Sequence, residues 1–206
     1  MHTKSAIAAL GVATLVVVGC GSGSGSSTTA ANNKTTKTTS AAVNPNAKEK
    51  SPPGDIPDST AFVPYKLAAG GFSVKVPEGW SRTTAGKQVT FTSNLNSVTI
   101  ASRVAGGPVT TTSVRQSEVP TMMRTLKRFK LVSVATVPRS GQRAVRIRYL
   151  AQGPANAVTG KAPLDAAERY LFVHNGTEAV LTLAGPNGAD NVDAWRTISD
   201  SVRWSA

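Results

Sequence analysis

The chain has 206 residues, enough for one ordinary domain with a tail but not for two full domains. Aromatic residues are only 5%, so the core must rest on aliphatics, and a single cysteine excludes an internal disulfide or a Cys-based zinc cluster. Two histidines, one of them in a segment expected to be removed, exclude a multi-histidine metal site; 23 Lys and Arg against 11 Asp and Glu leave a net charge of +12.

Residues 1–19 have the form of a secretory signal. Lys4 supplies the positive start, and Ser5 to Gly19 is an uncharged, mostly apolar run too short to serve as a comfortable mature span. The run closes on Val17-Val18-Gly19-Cys20, which resembles the bacterial lipobox. Its chemistry needs that order: a small residue before the cut, then a thiol at the first mature position to accept a diacylglycerol. Two or three acyl chains anchor a protein where one is marginal. Cys20 is therefore expected to be the lipidation site. The bland alternatives are a buried structural cysteine or an uncleaved anchor.

Residues 20–60 are expected to form a disordered tether. The segment opens Gly/Ser-rich, continues through Pro45, Pro52, Pro53 and Pro57, and lacks large apolar residues apart from Val43 and Ile56. It cannot offset its own ordering entropy by burial. A coil of this length spans roughly 35 Å.

Residues 61–206 are expected to form one domain. Phe72, Val74 and Val76 alternate with polar residues, and Pro77-Glu78-Gly79 turns the chain into Trp80. Val89 and Phe91, then Val98, Ile100 and Val104, continue the period of two expected of half-buried antiparallel strands. Val119, Met122, Met123 and Leu126 change the period to that of a helix, with Ser117 as its cap and its end near Phe129. Strands resume at Leu131–Val137 and around Val145, Ile147 and Tyr149.

Asn175-Gly176 between two apolar runs predicts a two-residue hairpin that pairs His174 with Thr177 and Tyr170 with Leu181. Both its faces are apolar, so it is expected to be central and covered on both sides. The same turn accounts for the glycosylation-type triplet Asn175-Gly176-Thr177. A last helix, capped at Asp190 or Asn191, carries Val192, Trp195, Ile198 and Val202. This order predicts an α+β fold: an antiparallel sheet with helices packed on it.

Phe72-Ser73-Val74-Lys75-Val76-Pro77-Glu78-Gly79-Trp80 resembles the opening strand and turn of PsbP-like domains. The Glu168–Leu183 hairpin and the closing Ala194–Trp204 helix are similar to that family as well. The likeness covers roughly 70–204 and extends to actinobacterial lipoproteins of the LpqN/LpqT kind. It implies a curved antiparallel sheet flanked by helices, and a non-catalytic accessory or binding role. No His/Asp set matches the metal-binding positions reported in that family.

No catalytic residue, metal site or cofactor is expected. Gly-x-Ser-x-Gly and phosphate-loop signatures are absent. Catalysis by carboxylates would require Asp165, Glu168 or Glu178 to converge with His174. The marked feature is charge: residues 119–164 hold nine bases and no acid. Arg124, Lys127 and Arg128 are expected on one helix face, and Arg146 and Arg148 on one strand face.

Such a segment is either a solvated basic surface or a site for an anionic partner. In an exported protein the candidates are an acidic wall polymer, an anionic lipid headgroup or an acidic envelope protein, rather than nucleic acid. The expected role is a non-enzymatic module on the outer face of the cytoplasmic membrane. The alternatives are a carrier with an apolar ligand beneath Met122 and Met123, or an unrecognised hydrolase.

Overall fold

A computed structural model describes residues 53–156 and 159–205. The signal segment, Cys20 and the tether as far as residue 52 lie outside the described residues.

The first strands are β1 (Phe62–Leu67), β2 (Phe72–Pro77), β3 (Ser81–Ala85), β4 (Gln88–Ser93) and β5 (Asn96–Val104). Helices α1 (Thr111–Gln116) and α2 (Glu118–Thr125) follow. The chain then runs through β6 (Lys130–Arg139), β7 (Gln142–Gln152), β8 (Leu164–His174), β9 (Thr177–Pro186), α3 (Val192–Ser199) and β10 (Arg203–Trp204). Seven strands form an antiparallel sheet in the order β3-β4-β5-β9-β8-β7-β6. A smaller antiparallel sheet has the order β1-β2-β10. The fold is the expected α+β, antiparallel sheet with few helices.

The β8–β9 hairpin has the expected register, with His174 opposite Thr177 and Tyr170 opposite Leu181. Asn175 and Gly176 both take positive φ, as a two-residue turn matching the strand twist requires. The hairpin lies inside the large sheet, and its two faces feed two cores. Tyr170, Phe172, Leu181 and Leu183 pack with Phe72 and Val74 of β2 and with Ile198 and Val202. Leu171 and Val180 pack on the other side with Val114 of α1, Val119 and Met122 of α2, and Ile147 and Tyr149 of β7. Thus α3 and the small sheet cover one face, while α1 and α2 cover the other.

The helical region departs from expectation. It starts earlier, at α1, where Thr110 and Ser113 form a capping box: Ser113 N donates to Thr110 Oγ1 at 3.0 Å and Thr110 N to Ser113 Oγ at 2.9 Å. Pro120 has no N–H to offer the Gln116 carbonyl, so α1 cannot run on unbroken into α2. Ser117 holds the N-cap position of α2, as expected, but its side chain accepts no capping hydrogen bond; the hydroxyl donates back to the Ser113 carbonyl at 2.8 Å. The helix stops at Thr125, because Leu126 is extended and Arg128 has φ +54°.

The domain also begins before residue 61. Gly54 and Ile56, expected in the tether, are buried. The Ile56 N–H donates to Asn191 Oδ1 at 2.7 Å. Asn96 Nδ2 and Asn191 Nδ2 both donate to the Gly54 carbonyl, at 2.8 and 3.0 Å. Asn191 Nδ2 also donates to Asn96 Oδ1 at 3.0 Å. Glycine at 185 leaves room for this clasp, since a Cβ there would lie 2.2 Å from Asn96 Oδ1.

Candidate functional site

The strand period places Arg146 and Arg148 on the face of β7 opposite Val145, Ile147 and Tyr149, which enter the second core. They therefore point toward α3. Pairing with β8 sets Arg146 opposite Tyr170 and Arg148 opposite Glu168. Arg139 reaches in from the end of β6, and Trp195 and Arg196 come from α3. Together they line a cleft of about 310 Å³ between the sheet and α3. Four guanidiniums and one carboxylate, Glu168, line its walls.

The cleft has an ordered side and an open side. Arg139 Nε donates to Ser199 Oγ at 2.9 Å, and Arg139 Nη2 to the Tyr170 hydroxyl at 3.1 Å. Its guanidinium carbon lies 5.2 Å from the Tyr170 ring centroid. The Tyr170 hydroxyl donates to Glu168 Oε2 at 2.5 Å. Burial, reinforced by this bond to the carboxylate, raises the Tyr170 pKa and keeps the phenol a donor.

Arg146 and Arg148 are less committed. Both approach the same oxygen, Glu168 Oε1, at 3.4 and 3.3 Å. Each has five N–H donors, so one shared oxygen leaves most of them available. Arg146 Nε is buried and has no acceptor among the described residues. Arg148 and Arg196 have side chains 51% and 71% exposed, and Asp200 Oδ2 lies 3.5 Å from Arg196 Nε. A cluster of this kind offers strong, directional hydrogen bonds to an anion with two or more oxygens.

The expected basic patch is divided. Arg124 stands at the end of α2, on the opposite side of the sheet from Arg146 and Arg148, and it donates to Thr121. Lys127 and Arg128 lie past the end of the helix and do not share its face. Arg196 was missed because it lies outside the basic run; only its α3 position brings it to the cleft.

The carboxylates that a hydrolase would need to bring together with His174 do not converge. Glu168 faces α3. Glu178 faces the other side, where Arg103 Nη2 binds it at 2.7 Å and Glu118 at 2.9 Å. Arg169 Nη2 completes this second network through Glu118 Oε1 at 2.7 Å. Asp165 is buried; its pKa is raised by desolvation, and Oδ1 has no hydrogen-bond partner among the described residues. His174 stacks on Trp204 with centroids 5.2 Å apart, on the face opposite Glu178. The proposed carrier lining fails as well: Met122 is part of the second core, and Met123 is 63% exposed. Among the described residues, no three His, Cys, Asp or Glu side chains gather to hold a metal ion, and no helix is long and apolar enough to cross a membrane.

No family model and no curated protein matches the chain. Solved structures do. Cyanobacterial PsbP from Synechocystis sp. PCC 6803 is 14% identical with a TM-score of 0.50, over 70% of this chain and 93% of that one. The Saccharomyces cerevisiae Ran-binding protein Mog1p is 11% identical with a TM-score of 0.49, over 71% and 96%. LpqN of Mycobacterium tuberculosis, a protein involved in cell envelope biogenesis, is 16% identical with a TM-score of 0.43, over 72% and 93%. The two-core antiparallel architecture and the match to the cyanobacterial protein together give this chain a PsbP-like fold.

Proposed function

We propose that the chain is a non-enzymatic binding module of the cell envelope. It is anchored through lipidated Cys20 to the outer face of the cytoplasmic membrane and docks an anionic partner through the cleft between β7, β8 and α3. The observation that carries this reading is the imbalance in the cleft: four arginines face Glu168 inside it and Asp200 beside Arg139 and Arg196, an excess of two positive charges. Guanidiniums held in place by a tyrosine, a serine and a shared carboxylate are preorganised for an anion rather than merely solubilising. The lipobox supplies the compartment, and the compartment supplies acidic wall polymers and anionic headgroups as partners.

Two measurements test this. Cys20→Ala should move the protein from the membrane fraction to the soluble extracytoplasmic fraction; unchanged membrane retention removes the anchor. The mature chain carrying Cys20→Ala, immobilised, should retain anionic material from solubilised envelope at low salt and release it at high salt. Arg148→Gln with Arg196→Gln should abolish that retention, whereas Arg124→Gln, Lys127→Gln and Arg128→Gln together should not. The reverse pattern places docking on the α2 side and removes the cleft from the reading.

A further inference from the structure

The cleft also carries information on ligand class, resting on the reading that it is an anion site. We infer that it takes a sugar-type ring bearing a phosphate, with the phosphate on Arg146, Arg148 and Arg196 and the ring against Trp195. Three observations lead there. First, the donors suit a tetrahedral oxyanion: Arg146 and Arg148 share one carboxylate oxygen at long range, which leaves most of their N–H groups uncommitted. A phosphate accepts from two guanidiniums at once and satisfies more of their N–H groups than Glu168 Oε1 alone. Second, Trp195 lies beside the arginines and is only partly buried, with Val192, 70% exposed, one turn away. An aromatic wall next to a charged one fits a ligand with an apolar ring face and an anionic substituent. Third, the volume of about 310 Å³ suits one such unit rather than a bare ion.

Two envelope sources present this chemistry, a glycosyl phosphate of a wall polymer and an inositol phosphate headgroup. The test uses the mature chain carrying Cys20→Ala and follows amide and indole resonances by NMR. Glucose 1-phosphate should shift the Trp195 indole N–H and bind more tightly than inorganic phosphate, and neutral glucose should not bind. Arg148→Gln with Arg196→Gln, at exposed positions where folding is not at stake, should weaken glucose 1-phosphate by about tenfold or more. The Arg124, Lys127 and Arg128 triple substitution should leave it within about twofold. Vesicles containing phosphatidylinositol, compared with phosphatidylglycerol vesicles of equal charge, separate the sources. Preference for the inositol lipid assigns the headgroup, and binding of glucose 1-phosphate without that preference assigns the wall sugar.

Equal affinity for inorganic phosphate and glucose 1-phosphate, or a Trp195 indole that does not move, overturns the inference. If glucose 1-phosphate fails while envelope retention still depends on Arg148 and Arg196, the ligand class is wrong and the docking reading stands. If both fail, the cleft is not the site.

Discussion

Asn191→Ala cuts the clasp that ties residues 54–56 to the domain, and its cost can be worked from two directions. Asn191 is 3% exposed, and its side chain accepts from the Ile56 N–H and donates to the Gly54 carbonyl and Asn96 Oδ1. If the segment stays in place, the Ile56 N–H is orphaned at about 1–3 kcal/mol, and the lost bond to Asn96 adds about 1 kcal/mol. If the segment lets go, that penalty is relieved by water, but Ile56 leaves a site where it is 5% exposed. Exposing a buried isoleucine side chain costs about 1.5–3 kcal/mol. Either route gives about 3 kcal/mol, or a fall in Tm of about 6–12 °C for a domain of this size. Thermal unfolding of the mature chain measures it, with hydrogen exchange at the Ile56 amide separating the routes. A chain shortened to begin at Ala61 should lose a similar amount, and Asn191→Ala should then add little, since both remove the same contacts. A change within about 0.5 kcal/mol for Asn191→Ala, or full additivity with the truncation, would falsify the clasp.

Tyr170→Phe removes the donor to Glu168 and the acceptor for Arg139 in a buried setting, and should cost about 2 kcal/mol by denaturant unfolding. No change in midpoint would mean that this bond network does not order the cleft. Asp165 has a folded pKa above its ordinary value, so the native state binds its proton more readily than the unfolded chain. Its charge therefore penalises folding: the penalty is absent below the unfolded value of about 3.8, grows as pH rises from there to the folded pKa and is complete above it. Asp165→Asn should accordingly raise Tm at pH 7 and lose that advantage at pH 3; a gain independent of pH would refute the desolvation argument. Glu118→Gln should weaken the Arg103–Glu118–Arg169 bridge and cost about 2 kcal/mol, with the loss diminished at high salt. An unchanged midpoint would mean that α2 is held by Val119 and Met122 alone.

Elements that fold on their own local pattern were legible in the sequence. The β8–β9 register follows from Asn175-Gly176 and from side chains that alternate on both faces. The alternation of Arg146 and Arg148 with Val145 and Ile147 follows in the same way. Elements whose reasons are non-local were not legible. β3 has five exposed residues and no apolar alternation, so it is a strand only because β4 pairs with it. β1 contains Pro64, tolerable because β1 is itself an edge strand and pairs with β2 alone. The end of α2 was misplaced because Leu126 continues the helical spacing of apolar residues while its backbone is already extended.

The α+β class and the excess of bases are written in the chain itself, because a two- or three-to-four-residue period and a charge count are properties of neighbouring residues. Which bases lie side by side is a matter of packing. Arg124 and the pair Arg146 and Arg148, which share one stretch of chain, fall on opposite sides of the sheet, since period two sends Arg146 and Arg148 away from the face that α2 covers. Arg196, some fifty residues away, joins them because α3 packs back across that face, and Glu168 joins them because β8 pairs with β7 in one register and no other. Charge is written residue by residue, but a binding site needs several charges within a few ångströms, and that proximity is set by strand pairing and helix packing.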